Sequence, residues 1–199
     1  MEVTVNGARV GLTGRLRDYP ARVDTLVLRR LRTRVGPRLA AHMQDLVSGR
    51  LLNVRTGQGR RSISWRIERS ALGNALLVGA DLSLAPYMRI QDMGGLIVPK
   101  RSAHLTIPVG EAVTARGVAR FTARELISSP GSFGFQGTFV HREIIFGRRK
   151  AEITPLFVLK KSVRITPVRF RRRTLTSQRA WVRSEVRTAV RSGLKRSGT

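Results

Sequence analysis

Apolar residues recur at three-to-four spacing between Pro20 and Leu52: Val23, Leu26, Val27, Leu31, Val35, Leu39, Met43, Leu46 and Val47. That period predicts one long amphipathic helix. Pro20 suits its first turn, and Gly36-Pro37 predicts a kink or division in the middle. The period then changes. Ser62-Ile63-Ser64-Trp65-Arg66-Ile67-Glu68 alternates strictly, which predicts a half-buried strand with Ile63, Trp65 and Ile67 on one side. A second strand over Ala75–Val78, after the Gly73-Asn74 turn, completes a hairpin over 62–80. A short hairpin is expected around Asn6-Gly7, with Val3, Val5 and Val10 in its strands. Residues 86–92 fit a short helix or an edge segment.

Leu96-Ile97-Val98-Pro99 and Leu105-Thr106-Ile107-Pro108 are apolar segments closed by prolines, which suits edge strands or extended arms. A helix is predicted around Ala115–Ile127, strands over Thr138–Phe146 and Ile153–Val168, and a last helix over Ser177–Lys195. The expected class is therefore α+β: an antiparallel sheet flanked by a long kinked N-terminal helix and a basic C-terminal helix. A chain of this size suits a single domain, 1–199, with an insertion or long hairpin at about 109–152.

Charge changes this picture more than any other property. There are 38 Lys and Arg against 12 Asp and Glu, a net charge of +26, which points to a polyanion as neighbour. Residues 1–61 carry +9, residues 62–159 carry +5 and residues 160–199 carry +12, so the C-terminal fifth holds nearly half the excess. Arginine dominates, and its planar fork suits phosphate or carboxylate. A GC-rich genome would also favour arginine over lysine, but would not account for the imbalance of sign. In the last helix Arg179, Arg183, Arg187, Arg191 and Lys195 recur every four residues as a cationic ridge, with Glu185 the only acid. Like charges at this spacing cost a few tenths of a kcal/mol per pair, so compensation from outside the helix is expected.

Enzymatic chemistry finds little footing. Cysteine is absent, which excludes disulfides, thiolate zinc sites and a cysteine nucleophile. His42, His104 and His141 lack metal-ligand spacing. Gly57-Gln58-Gly59-Arg60-Arg61-Ser62 lacks both the spacing and the lysine of a phosphate-binding loop, and a strand follows it where that loop requires a helix. The acids do not cluster as a two-metal or paired-carboxylate site would need. No catalytic residue, metal site or cofactor is expected. With no basic leader before an apolar stretch and no apolar run of ~18 residues, the chain reads as soluble and unexported. The glycine-rich loop 129–137 carries Phe133 and Phe135, which either insert into a partner or form an ordinary hairpin tip.

Three phrases in order carry a family likeness. They are Val54-Arg55-Thr56-Gly57 with Arg60-Arg61-Ser62-Ile63; Ile90-Gln91-Asp92-Met93-Gly94-Gly95-Leu96-Ile97-Val98-Pro99-Lys100 leading to Leu105-Thr106-Ile107-Pro108; and Pro155-Leu156-Phe157-Val158-Leu159-Lys160-Lys161-Ser162-Val163-Arg164-Ile165 continuing to Arg169-Phe170. The chain resembles the small tail-completion and neck proteins of long-tailed bacteriophages, typified by lambda minor tail protein Z and the Mu virion morphogenesis protein G. It departs from them at Ile165-Thr166-Pro167-Val168-Arg169-Phe170, where members more often have a compact Ile-Pro-x-Arg-Pro-Phe run, and at 109–152.

The resemblance implies a non-enzymatic structural virion protein, assembled as a homo-oligomeric ring, usually a hexamer, where head meets tail. Its implied neighbours are head-closure or connector proteins on one side and tail terminator or tail-tube proteins on the other. Non-specific contact with genomic DNA and no membrane are expected, with assembly in the host cytoplasm. In such a ring Gly94, Gly95, Leu96, Ile97, Val98, Pro99, Leu105, Ile107 and Pro108 suit a subunit-contact arm, or else an internal hairpin. The ridge would line the DNA path, dock on an acidic partner ring, or stand solvated. Charge alone also permits a free, sequence-independent nucleic-acid-binding protein, although Trp65 and Trp181 lie on apolar faces and leave no stacking platform.

Overall fold

The structure is a computed structural model that describes residues 2–5, 8–11, 21–53, 56–70 and 73–195. The Asn6-Gly7 turn and Pro20 lie outside the described residues. The architecture is the expected α+β one, with long N-terminal and C-terminal helices and largely antiparallel sheets. The chain divides into two compact units, residues 1–93 with 167–199, and residues 94–166. Each has its own apolar cluster.

In the first unit, β1 (Glu2–Val5) and β2 (Ala8–Gly11) form the expected antiparallel hairpin. β1 also runs parallel to β4 (Gly73–Ala80), which pairs antiparallel with β3 (Ile63–Ser70), giving the order β2-β1-β4-β3. On β3, Ile63 is buried and Trp65 and Ile67 half-buried, as the alternation requires. The long helix comprises α1 (Ala21–Arg30), a wide turn over Leu31–Val35, and α2 (Gly36–Asp45). The predicted break is absorbed rather than divisive. Gly36 keeps helical angles (φ −57°, ψ −55°) and donates to the Leu31 carbonyl, five residues back. The widened turn accommodates Pro37, which has no N–H to give. Gly36 is dictated by packing: a Cβ there would stand 2.5 Å from the Trp65 ring, so only glycine lets the helix lie this close to β3. Ser48 and Gly49 leave helical geometry and end the helix. Val23, Val27, Leu31, Val35, Leu39 and Met43 are all buried against Leu76, Val78 and the last helix. A single helical turn, α3 (Gln58–Arg61), precedes β3 where a turn-rich loop was expected. α4 (Tyr87–Met93) takes the helical option for 86–92.

The second unit holds two sheets. β5 (Gly95–Ile97) pairs antiparallel with β10 (Val163–Ile165). The other sheet has the order β6-β9-β8-β7, from β6 (Leu105–Pro108), β7 (Gly137–His141), β8 (Ile144–Arg149) and β9 (Glu152–Lys160), all antiparallel. Three expectations are corrected here. The strand predicted over Thr138–Phe146 is the hairpin of β7 and β8, turned at Arg142-Glu143, both at positive φ. The strand predicted over Ile153–Val168 is two strands, broken at Lys161-Ser162. The helix predicted over Ala115–Ile127 shrinks to α5 (Ala123–Ser128), because Val113 bridges Ala119 across a turn and Thr122 supplies the start signal. Thr122 Oγ1 accepts from the Glu125 N–H while Glu125 Oε2 accepts from the Thr122 N–H, a reciprocal capping box. The segment 109–152 lies inside this unit and supplies most of its core, with Ala112, Leu126, Phe135 and Ile145 packed on Leu156 and Phe157.

Candidate cationic interface

The last helix, α6 (Phe170–Lys195), begins well before the expected Ser177. Nothing local would start it there: its first turn has no acid, and Arg171, Arg172 and Arg173 crowd the positive end of the helix dipole. The start comes from Asp92, buried at 6% exposure. Its Oδ1 accepts from the Arg171 N–H at 3.1 Å and its Oδ2 from Arg171 Nε at 2.5 Å. The Gln91 and Asp92 carbonyls accept from the Val168 and Arg169 N–H groups at 2.9 and 3.0 Å. A carboxylate distant in sequence thus does the work of an N-cap.

One face of α6, Phe170, Thr174, Val182, Ala189 and Gly193, is buried on the long helix. The two run antiparallel: Gly193 meets Val23, Glu185 meets Arg30 and Arg34, Arg38 lies over the Trp181 ring at 4.1 Å, and Ser177 Oγ lies 3.0 Å from His42 Nε2. The approach at Gly193 is close, since a Cβ there would fall 2.7 Å from Val23 Cγ2.

The expected cationic residues occupy the other side. Arg179, Arg187, Arg191 and Lys195 are exposed and Arg183 is half-buried. Over these residues the helix rises ~24 Å, and each four-residue step turns ~40°, so the ridge winds through roughly 160° instead of running straight. Arg187 sits near its middle, opposite the packed face. Among the described residues, none of the five has a carboxylate within ion-pair distance. The expected compensation is therefore absent from the described chain. Glu185 faces the other way, with Oε2 3.2 Å from Arg30 Nε and Oε1 3.7 Å from Arg34 Nη1. Arg172 and Arg173, both exposed, extend the cationic surface toward the start of α6, which the shorter predicted helix missed.

Six of the nine residues of the candidate arm pair within their own chain, in two different sheets and not as one hairpin. Gly95, Leu96 and Ile97 belong to β5 and pair with β10, whereas Leu105, Ile107 and Pro108 belong to β6 and pair with β9. Gly94 and Val98-Pro99 flank β5, and Leu96 and Val98 remain 54% and 53% exposed. The partner-insertion option for Phe133 and Phe135 is corrected. Phe135 is 3% exposed, seated over Gly147 where a Cβ would stand 2.5 Å from its ring. Phe133 packs on Phe121 with ring centroids 4.5 Å apart and planes inclined at 34°. Both are internal packing residues of the second unit.

No group of three potential metal ligands occurs among the described residues. Among those residues no helix is long and apolar enough to cross a membrane. No family model, curated protein or solved structure matches this chain.

Proposed function

We propose that this protein is a non-enzymatic structural component of a phage virion, a tail-completion or neck subunit that forms a ring at the head–tail junction. The observation that carries the reading is the winding, acid-free cationic surface of α6, held outward by a helix whose opposite face is fixed on α1 and α2. A surface so built suits diffuse, sequence-independent contact with phosphates, or with an acidic neighbouring ring, because it offers charge without a base-reading arrangement. The three phrases that resemble tail-completion and neck proteins, in the same order, support the placement, and the hexameric ring is taken from that resemblance. Among the described residues β5 and β6 stand at the edges of their sheets, which suits contact between subunits.

The test is Arg187→Glu with Arg191→Glu, two exposed residues whose reversal leaves the packed face of α6 untouched. The expected result is unchanged circular dichroism with heads and tails that fail to join or to pass DNA. Normal infectious particles would overturn the proposal. Electron microscopy of particles carrying tagged protein supplies the location. A monomer that binds DNA and never enters particles would favour the free nucleic-acid-binding reading instead.

A further inference from the structure

A second cationic feature lies on the side of α6 facing α1. Leu26, Arg29, Arg30, Thr33 and Arg34 of the long helix, with Ala189 and Ser192 of α6, line an open cleft of about 350 Å³. That volume falls at the small end of the ~300–1,000 Å³ usual for small-molecule sites. Three arginines line it, and Glu185 engages two of them, Arg30 through Nε and Arg34 through Nη1. Three positive charges against one negative leave the cleft with a net charge of two. The Arg30–Glu185 contact also holds a half-buried guanidinium in place, so part of the ordering cost of a binding site is met before any ligand arrives. Thr33 Oγ1 donates to the Arg29 carbonyl at 2.9 Å, which fixes the Thr33 hydroxyl on its own helix. Among the described residues, Glu185 is the acid in ion-pair contact with these arginines.

We propose that this cleft is an anion site for a phosphate dianion, free or as a terminal phosphomonoester. The charge matches: a monoester carries close to two negative charges at neutral pH, whereas a phosphodiester carries one. Planar arginine forks supply paired N–H donors for its oxygens, and the Ser192 hydroxyl can add a further donor. Leu26 and Ala189 supply apolar walls with no acceptor to repel it. The site is distinct from the outward ridge, since its α6 residues, Ala189 and Ser192, lie on the side turned to α1.

The experiment is titration of the full chain with inorganic phosphate at constant ionic strength, followed by NMR of the arginine Nε–Hε groups. Saturable shifts confined to Arg29, Arg30 and Arg34 are expected. Arg29→Gln and Arg34→Gln should each weaken binding by roughly tenfold or more, the loss of one charge-assisted hydrogen bond. Arg30 is left intact because it is the more buried and closer of the two arginines that Glu185 engages, so its loss would disturb the helix contact. Ridge variants Arg187→Gln and Arg191→Gln should leave the affinity unchanged. A short single strand with a 5′-phosphate, compared with the same strand ending in a 5′-hydroxyl, separates the sources. Preference for the phosphorylated end, competed by inorganic phosphate, supports a monoester site, and saturation by inorganic phosphate alone supports a site for the free ion. Non-saturating shifts, or equal losses in cleft and ridge variants, would overturn the site.

Discussion

Replacing Glu185 with Gln isolates what holds the two long helices in register. The carboxylate is 14% exposed, Arg30 26% and Arg34 60%. Oε2 lies 3.2 Å from Arg30 Nε, yet it has no hydrogen bond of proper geometry, so the pair acts through charge more than through a directed bond. Removing one partner of a fully buried pair costs ~3–5 kcal/mol, and exposed pairs are worth ~0–1 kcal/mol. Arg34 is exposed enough that screening leaves it almost nothing. The Arg30 pair falls between these limits, and the missing directed bond pulls it downward, to about 2 kcal/mol. At 2–4 °C per kcal/mol for a chain of this size, the melting temperature should fall by about 4–8 °C. The assay is reversible thermal and urea unfolding of wild type, Glu185→Gln, Arg30→Met and the double variant. The single variants should be non-additive, with a coupling of about 1 kcal/mol or more. A loss under about 0.5 kcal/mol with additive single variants would refute the reasoning, because helix packing would then owe nothing to this pair.

Gly36→Ala should destabilise by about 1–3 kcal/mol in chemical denaturation, although alanine in a helix ordinarily gains about 1 kcal/mol, because the new Cβ strikes the Trp65 ring. A stabilised variant would show that the helix lifts freely off β3. Thr174→Val should stabilise by about 1 kcal/mol by the same measurement, since Thr174 is fully buried and its hydroxyl lacks a partner; a destabilised variant would mean the hydroxyl is bonded after all. Hydrogen bonds from the Thr122 backbone N–H and then its hydroxyl hold the Glu125 carboxyl below its ordinary value of 4.5. Because the folded value is the lower one, the contribution is present above pH 4.5 and is lost as pH falls through the folded value. Protection factors of the α5 amides, taken relative to intrinsic exchange at each pH, should therefore fall on acidification, and carbon-detected titration of Glu125 at or above 4.5 would contradict it.

Most elements were legible because their residues repeat at the period of the structure they form. Val23 through Met43 mark the long helix, and Ile63, Trp65 and Ile67 mark β3, with local pattern and tertiary burial in agreement. The misread boundaries are those set by distant groups. α6 begins at Phe170 because Asp92 caps it from another part of the chain, and no local signal at Arg169–Arg173 announces this. Composition made Phe133 and Phe135 look like a flexible loop, while the space above Gly147 that receives Phe135 exists only once β8 is placed. At the candidate site, four-residue spacing revealed the five cationic residues. The cleft between α1 and α6 was invisible, because it needs the antiparallel docking of helices well over a hundred residues apart.

That docking also orders events during synthesis. The first unit is completed only by residues 167–199, so Phe170, Val182 and Ala189 reach Val23, Leu31 and Leu39 after everything between them has been made. Translation of residues 94–199 takes roughly 5–20 s at ~5–20 residues per second. The contiguous second unit can fold on the ribosome in that interval, while the apolar stripe of the N-terminal helix waits for its cover. A chain stopped after Thr166 would retain one finished unit and carry one open core, an inviting target for chaperones and proteases.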